Sequence, residues 1–201
     1  MKTALAAKPD NRRSFFDRKA DTWDSRIRDR DYYSIEQLFK RVNFRSSDYI
    51  LDVGSGTGIM IPFYLKNGIQ NINAIDNSEK MVNIFKKKFP DINVLCRCFL
   101  SPMNESSFAD KIIIFNTFPH FENFDLVFAN SARYLRKNGR LIIAHSMNRR
   151  EIEECHQRKS PVVAKDLLPA DRFFQRKFTE YAFKQIVVEE SESGFFAMGS
   201  L

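Results

Sequence analysis

The sequence predicts an α/β fold: one doubly wound, mostly parallel seven-stranded sheet, with helices before it and an antiparallel hairpin at its end. Three observations carry this. Short apolar runs alternate with helix-period stretches from about residue 49 onward. A glycine cluster, LDVGSGTGI at 51–59, follows the first of those runs. Two strand-like runs, QIVVEES and GFFAMGSL, close the chain with a short turn between them. At 201 residues the chain suits one domain, expected over 13–201. Residues 1–12 read as a flexible tail, 13–45 as a helical cap, and 146–170 as a lid that shapes a substrate pocket.

Each element has its own signal. SFFDRKADTWD and YYSIEQLFKRV read as two short helices. YILDV is a buried strand ended by glycine. GIMIPFYLKNG is a helix with Pro62 in its first turn, where a missing N–H costs little, and Gly68 at its C′ position. NINAID is the second strand. SEKMVNIFKKKF is a helix with Ser78 near its start and an apolar stripe of Met81, Val82, Phe85 and Phe89. DINVLCRC and KIIIFN are strands three and four, separated by the polar loop SPMNESSFAD. ENFDLVFANSARYLRKNG is expected to be helical, with Lys137 in its last turn and Gly139 at C′. RLIIAHS is the fifth strand. NRREIEECHQRK and PADRFFQRKFTEYAF are two further helices before the hairpin.

Apolar content of 43% and charged content of 28% are ordinary for a globular protein, and no apolar run approaches bilayer length. The apolar part of MKTALAAKPDNRR is too short for a secretory core, so a cytoplasmic protein is expected. Cys96, Cys98 and Cys155 make an odd count without framework spacing, which fits a reducing compartment. Cys96 and Cys98 would share one strand face and read as two buried thiols. Net charge is +7, of which +4 falls in residues 1–30, with nine Lys/Arg against five Asp. The bases alternate with acids in DRKADTWDSRIRDRD, as on a solvated helix face rather than a nucleic-acid arm.

The glycine cluster poses a chemical question. G-S-G-T-G is not G-x-G-x-x-G, because Ile59 stands where the dinucleotide glycine belongs, and no G-K-[ST] follows. Asp52, two places before Gly54, would repel a pyrophosphate and attract a cation. S-adenosylmethionine carries a sulfonium and an ammonium and no phosphate. Asp76, eighteen residues after Gly58, ends the second strand, where an acid can accept hydrogen bonds from both ribose hydroxyls. The plainer alternative is a glycine turn that packs strand on helix, with Asp76 as a cap.

LDVGSGTG and INAIDNSEKMV resemble the first two motifs of the class I, Rossmann-like S-adenosylmethionine-dependent methyltransferases. FFDRKADTWD is similar to the start of several small-molecule members, quinone-biosynthesis types among them. The resemblance implies S-adenosyl-L-methionine as cofactor and these roles. Gly54, Ser55, Gly56 and Gly58 line its methionine part, with Asp52 nearby. Asp76 holds the ribose, and Asn77 and Met81 flank the adenine. Asn116 faces the methionine moiety or the substrate. Trp23 and Tyr32 or Tyr33 close over the site. One departure is visible: Cys98 stands where many relatives have an acid that meets the adenine amino group.

Methyl transfer needs alignment, exclusion of water and sometimes a base. The three histidines are the candidates for catalysis. His120 follows strand four and His145 ends strand five. In this topology those strands are neighbours, so the two should flank one pocket. His156 joins them if its helix folds back. Proton acceptor, metal ligand and plain structural residue are all open readings, although no resident metal is expected. Asn116-Thr-Phe-Pro119 resembles but does not match the N-P-P-[YF] segment of amino-methylating nucleic-acid enzymes. Phe115, Phe118, Phe121 and Phe124 offer an aromatic lining, about half of it core. The expected activity is methyl transfer to a small-molecule acceptor by in-line displacement. An RNA or protein methyltransferase, favoured by charge alone, and a non-catalytic cofactor-binding protein are the alternatives. Nucleic acid is the less favoured partner, no membrane is expected, and the oligomeric state is left open.

Overall fold

The computed structural model describes residues 11–192 and 194–201. Its sheet has seven strands in the order β3-β2-β1-β4-β5-β7-β6. They are β1 (Ile50–Val53), β2 (Ile72–Asp76), β3 (Asn93–Cys96), β4 (Ala109–Phe115), β5 (Leu135–His145), β6 (Lys184–Ser191) and β7 (Gly194–Ser200). The first five run parallel, and β7 is antiparallel to both β5 and β6. The strand order reverses between β1 and β4. Successive crossovers leave in opposite directions there and open a crevice above the carboxyl ends of the strands.

Helices cover both faces, which is why the central strands read as near-continuous apolar runs. On one face α2 (Asp29–Arg41), α3 (Ile61–Lys66) and α4 (Glu79–Lys88) bury Ile35, Leu38, Tyr64, Val82 and Phe85 against Ile50, Ile113 and Ile142. On the other, α5 (Phe124–Tyr134), α6 (Arg149–Lys159) and α7 (Asp171–Glu180) bury Phe128, Ile152, Phe174 and Phe178 against Leu51, Ile112, Ile114 and Ile143. Each such side chain contributes about 1.5–3 kcal/mol. The remaining helix, α1 (Asn11–Lys19), and two 3₁₀ turns (Ala20–Thr22, Asp24–Arg26) lie across the crevice end of the sheet.

The caps follow the sequence. Ser78 accepts from the Met81 N–H at 3.2 Å and starts α4. Asn148 and Glu151 form a reciprocal capping box on α6. Pro62 sits in the first turn of α3, and Gly68 follows it at φ +73°.

Three expectations need correction. α5 stops at Tyr134, so Lys137 and Gly139 belong to β5. Leu135 is fully buried, already extended and paired with Ala109; the register then slips, so that Lys111 meets Arg140. Asn138, at φ +64°, absorbs the extra residues. Cys96 and Cys98 are not a pair of buried thiols. β3 is an edge strand that ends at Cys96, which is exposed, and Cys98 lies beyond it, half-buried. Residues 1–10 of the expected tail lie outside the described residues, but Asn11 and Arg12 belong to α1.

Candidate active site

The crevice begins with the turn after β1. The N–H groups of Gly54 and Ser55 both donate to the Ile75 carbonyl, at 2.8 and 3.1 Å, and pull the turn over β2. Gly54 takes φ +68°, and a Cβ there would fall 2.3 Å from Thr117 Cγ2. Only glycine satisfies both conditions. The Gly56 N–H donates to Asp76 Oδ2, and the Ser78 N–H to Asp76 Oδ1, each at 2.8 Å. Asp76 thus ties the glycine turn to the head of α4. Burial raises its pKa, and these backbone bonds only partly offset that.

Gly54, Ser55, Gly56, Asp76, Asn77, Met81, Cys98 and Asn116 all line one cavity of about 550 Å³. Two residues expected with them do not. Gly58, at φ +92°, is pressed against α4, where a Cβ would lie 2.7 Å from Phe89 Cε2. Its role is close packing of turn on helix. Asp52 is sealed beneath the turn, 1% exposed, with Oδ2 unpartnered. Burial first and the Asp76 charge second push its pKa up to about 8. The attraction of a carboxylate for a cation therefore does not act from Asp52 at the cavity surface. Position 52 points into the apolar side of the sheet with Ile50, two residues back on the same strand face.

The covering residues are also partly reassigned. Trp23 sits on the glycine turn, its Nε1 3.7 Å from where a Gly56 Cβ would stand, and the Thr57 hydroxyl donates to Asp24 at 2.5 Å. Tyr32 and Tyr33 are turned outward, 46% and 53% exposed, and do not line the cavity. The wall on that side is Phe16, Ile27 and Asp31 instead. Asp31 accepts from the Ser146 hydroxyl at 2.5 Å and from Asn116 Nδ2 at 3.2 Å. Asn116, in the left-handed region at φ +54°, also accepts from the Ser146 N–H. This network joins the ends of β4 and β5 to α2. Of the four phenylalanines, Phe115 and Phe121 reach the cavity, whereas Phe118 is core and stacks on Phe124 at 4.7 Å.

All three histidines line the same cavity. α6 folds back across it, so the His120 and His156 rings lie 4.8 Å apart. His145, 3% exposed, has an unpartnered Nε2; burial first, then His120 and His156, push its pKa down to about 3. It is neutral at physiological pH. His156 donates from Nδ1 to the Asp166 carbonyl at 2.7 Å, and burial lowers its pKa. His120 Nδ1 lies 2.8 Å from Asp166 Oδ2. The same carboxylate, with a side chain 1% exposed, receives the Arg12 fork at 2.7–3.2 Å. Burial alone would raise the Asp166 pKa, but the His120 and Arg12 bonds outweigh it and hold the carboxyl below its usual range. Among the described residues no set of three His, Cys, Asp or Glu side chains is disposed to hold a metal ion.

Arg12, Asp31 and Asp166 escaped the sequence reading. Asp166 left one signal, an acid in the apolar setting VVAKDLLPA; Arg12 and Asp31 sit in mixed-charge stretches that give none.

The cavity fits a cofactor of nucleoside size at one end. It holds glycine backbone at positive φ, an acid at the end of β2 and the Ser55 hydroxyl, a buried polar group without a partner. Residues 51–143 match the family described as "Methyltransferase domain". Over that segment, a little under half of the chain, the sequence matches a methyltransferase domain, and the sheet has the class I methyltransferase fold. The chain is 27% identical over 128 residues to an uncharacterized methyltransferase of Schizosaccharomyces pombe, an alignment covering 61% of this chain and 49% of that one. It thus spans about half the length of the curated relative it matches. Among solved structures it is similar in fold to a methyltransferase candidate in complex with the Trm112 methyltransferase activator of Haloferax volcanii. There the TM-score is 0.80 and identity 15%, over 92% of this chain and 96% of that one. It is also similar to a candidate S-adenosyl-L-methionine-dependent methyltransferase of Methanococcus maripaludis. That match has a TM-score of 0.69 and 20% identity, over 100% of this chain and 96% of that one.

Proposed function

We propose that the protein transfers a methyl group from S-adenosylmethionine to a small-molecule acceptor. When bound, the cofactor supplies a methyl carbon already activated by its sulfonium, open to in-line displacement. Gly54, Ser55 and Gly56 would hold its methionine part, Asp76 its ribose, and Asn77, Met81 and Cys98 its adenine. Asn116, fixed by Asp31 and Ser146, would face the methionine part of the cofactor or the acceptor. With Cys98 in place of an acid, the adenine amino group would rely on backbone and packing.

The observation that carries the small-molecule reading is the roof. α1 is tied across the cavity to Asp166 and Glu122 by Arg12, with the Glu122 contact at 2.9 Å. Arg30 binds Glu151 through two bonds of 2.8 and 3.0 Å and the Ser146 carbonyl at 3.0 Å. These bridges leave room for a compact acceptor beside His120, Met147 and Ile152, not for a folded macromolecule.

Two measurements test it. Calorimetry should show S-adenosylmethionine and its demethylated product binding to the full chain. Asp76→Ala should weaken both by about a hundredfold, through loss of charge-assisted bonds to the ribose. Methyl-labelled cofactor incubated with a metabolite extract should then label a low-molecular-weight product. A nicotinamide dinucleotide binding in place of S-adenosylmethionine would overturn the reading.

A further inference from the structure

We infer that His120, positioned by Asp166, is the proton acceptor of this site, and that the acceptor molecule attacks through an atom that carries a proton, a hydroxyl or an N–H. The inference rests on the proposed methyl transfer.

Three features converge on His120. The first is a fixed tautomer. Asp166 is buried, ionised and bound to Arg12, so it can only accept. Its bond to His120 Nδ1 therefore places the imidazole proton on Nδ1 and the lone pair on Nε2. Nε2 has no hydrogen-bond partner among the described residues. The second is a fixed ring. His120 packs edge-on against Phe16 at 5.0 Å and beside His156 at 4.8 Å. His156 is itself pinned to the Asp166 backbone, so one residue sets both rings. The third is elimination. His145 is buried in the cavity wall, and its pKa of about 3 makes it a feeble base. The acids of the wall are already engaged: Asp31 accepts from Ser146, Asn116 and the Arg28 N–H, Glu122 from Arg12, and Asp76 from the Gly56 and Ser78 N–H groups.

The proton balance is simple. As the acceptor's heteroatom bonds to carbon, its proton passes to His120 Nε2. The resulting imidazolium lies against the Asp166 carboxylate, and water takes the proton away after product leaves. A nucleophile without a proton, such as a carboxylate or a thioether, would leave this arrangement idle. Asp166 acts only through His120 and is a positioning residue. A site built for a proton-free nucleophile would have no use for a buried carboxylate held on one imidazole nitrogen, 46 residues away in sequence.

The tautomer can be read without cofactor or acceptor. In ¹⁵N-labelled full-length protein, long-range ¹H–¹⁵N spectra should show His120 protonated at Nδ1, and Asp166→Asn should abolish that preference. A proton on Nε2 in the wild-type protein would sink the inference whatever the activity. With the acceptor fraction in hand, His120→Gly and Asp166→Asn should each lower methyl transfer by about a hundredfold or more. Binding of the demethylated cofactor product should stay within about threefold, which also reports that the fold survives. Added imidazole should restore His120→Gly by about tenfold, as a structural role would not allow. If the variants methylate as well as wild type, or if the product is a base-labile methyl ester or a sulfonium, His120 is no proton acceptor while the methyltransferase reading stands. If wild type binds no S-adenosylmethionine, both fall together.

Discussion

At the scale of single residues, position shows in the sequence more readily than environment. Gly54, Gly56 and Asp76 were legible because a turn at a strand end and an acid at the next strand end are local patterns. Asp52 was legible as an acid beside the loop but not as a sealed one, because strand alternation decides which face it takes. Its environment makes a prediction. Burial lifts the folded pKa to about 8 from a usual carboxyl value of 3.8. The folded chain thus keeps a proton that the unfolded chain releases. Stability falls as pH rises between those two values, and the penalty is absent below the lower one. Asp52→Asn carries no such proton. Urea denaturation at about pH 5.5 and 8 should show the variant losing a few kcal/mol less than wild type across that interval. Equal losses would mean that Asp52 is ionised and solvated in the native state.

At the scale of elements, the strands and most helices were readable because their signals are short-range: an N-cap serine, a proline in a first turn, an apolar stripe. The boundary between α5 and β5 was not. Lys137 and Gly139 make a credible helix end, and only pairing of Leu135 with Ala109 on another strand prevents it. α1 is the opposite case: its helical pattern was visible, its function was not. Arg12 reaches a partner 154 residues away, a contact no local pattern encodes. That contact holds α1 over the cavity. Arg12→Ala would leave Asp166 with His120 as its main side-chain partner. Because Arg12 is partly exposed, the cost should be about 1–2 kcal/mol rather than that of a fully buried pair. Hydrogen exchange should show α1 amides opening about tenfold faster while β1, β4 and β5 keep their protection. Uniform loss of protection would mean that Arg12 supports the whole fold rather than the roof.

At the scale of the whole molecule, topology converts scattered residues into a site. The parallel order β1-β4-β5 puts three carboxyl ends side by side, so Gly54, Asn116 and His145 line one cavity although 91 positions separate the first from the last. That much followed from alternating strands and helices alone. The roof did not, because it depends on side chains from α1, α2 and the segment after β5 finding one another. Charge belongs to this scale too. The net +7 would suit an RNA partner, yet many of the bases stand beside acids, as Arg41 does with Glu189 and Arg136 with Asp110. Charges arranged this way attract polyanions weakly and without a track to follow. RNA binding should therefore be feeble and fade between about 50 and 200 mM salt. In a cell extract fractionated after incubation with methyl-labelled cofactor, the label should stay with small molecules at both salt concentrations. Label that moves to RNA or protein, with transfer falling steeply over that salt range, would mean that the roof opens to admit a macromolecule and that the basic surface guides it in.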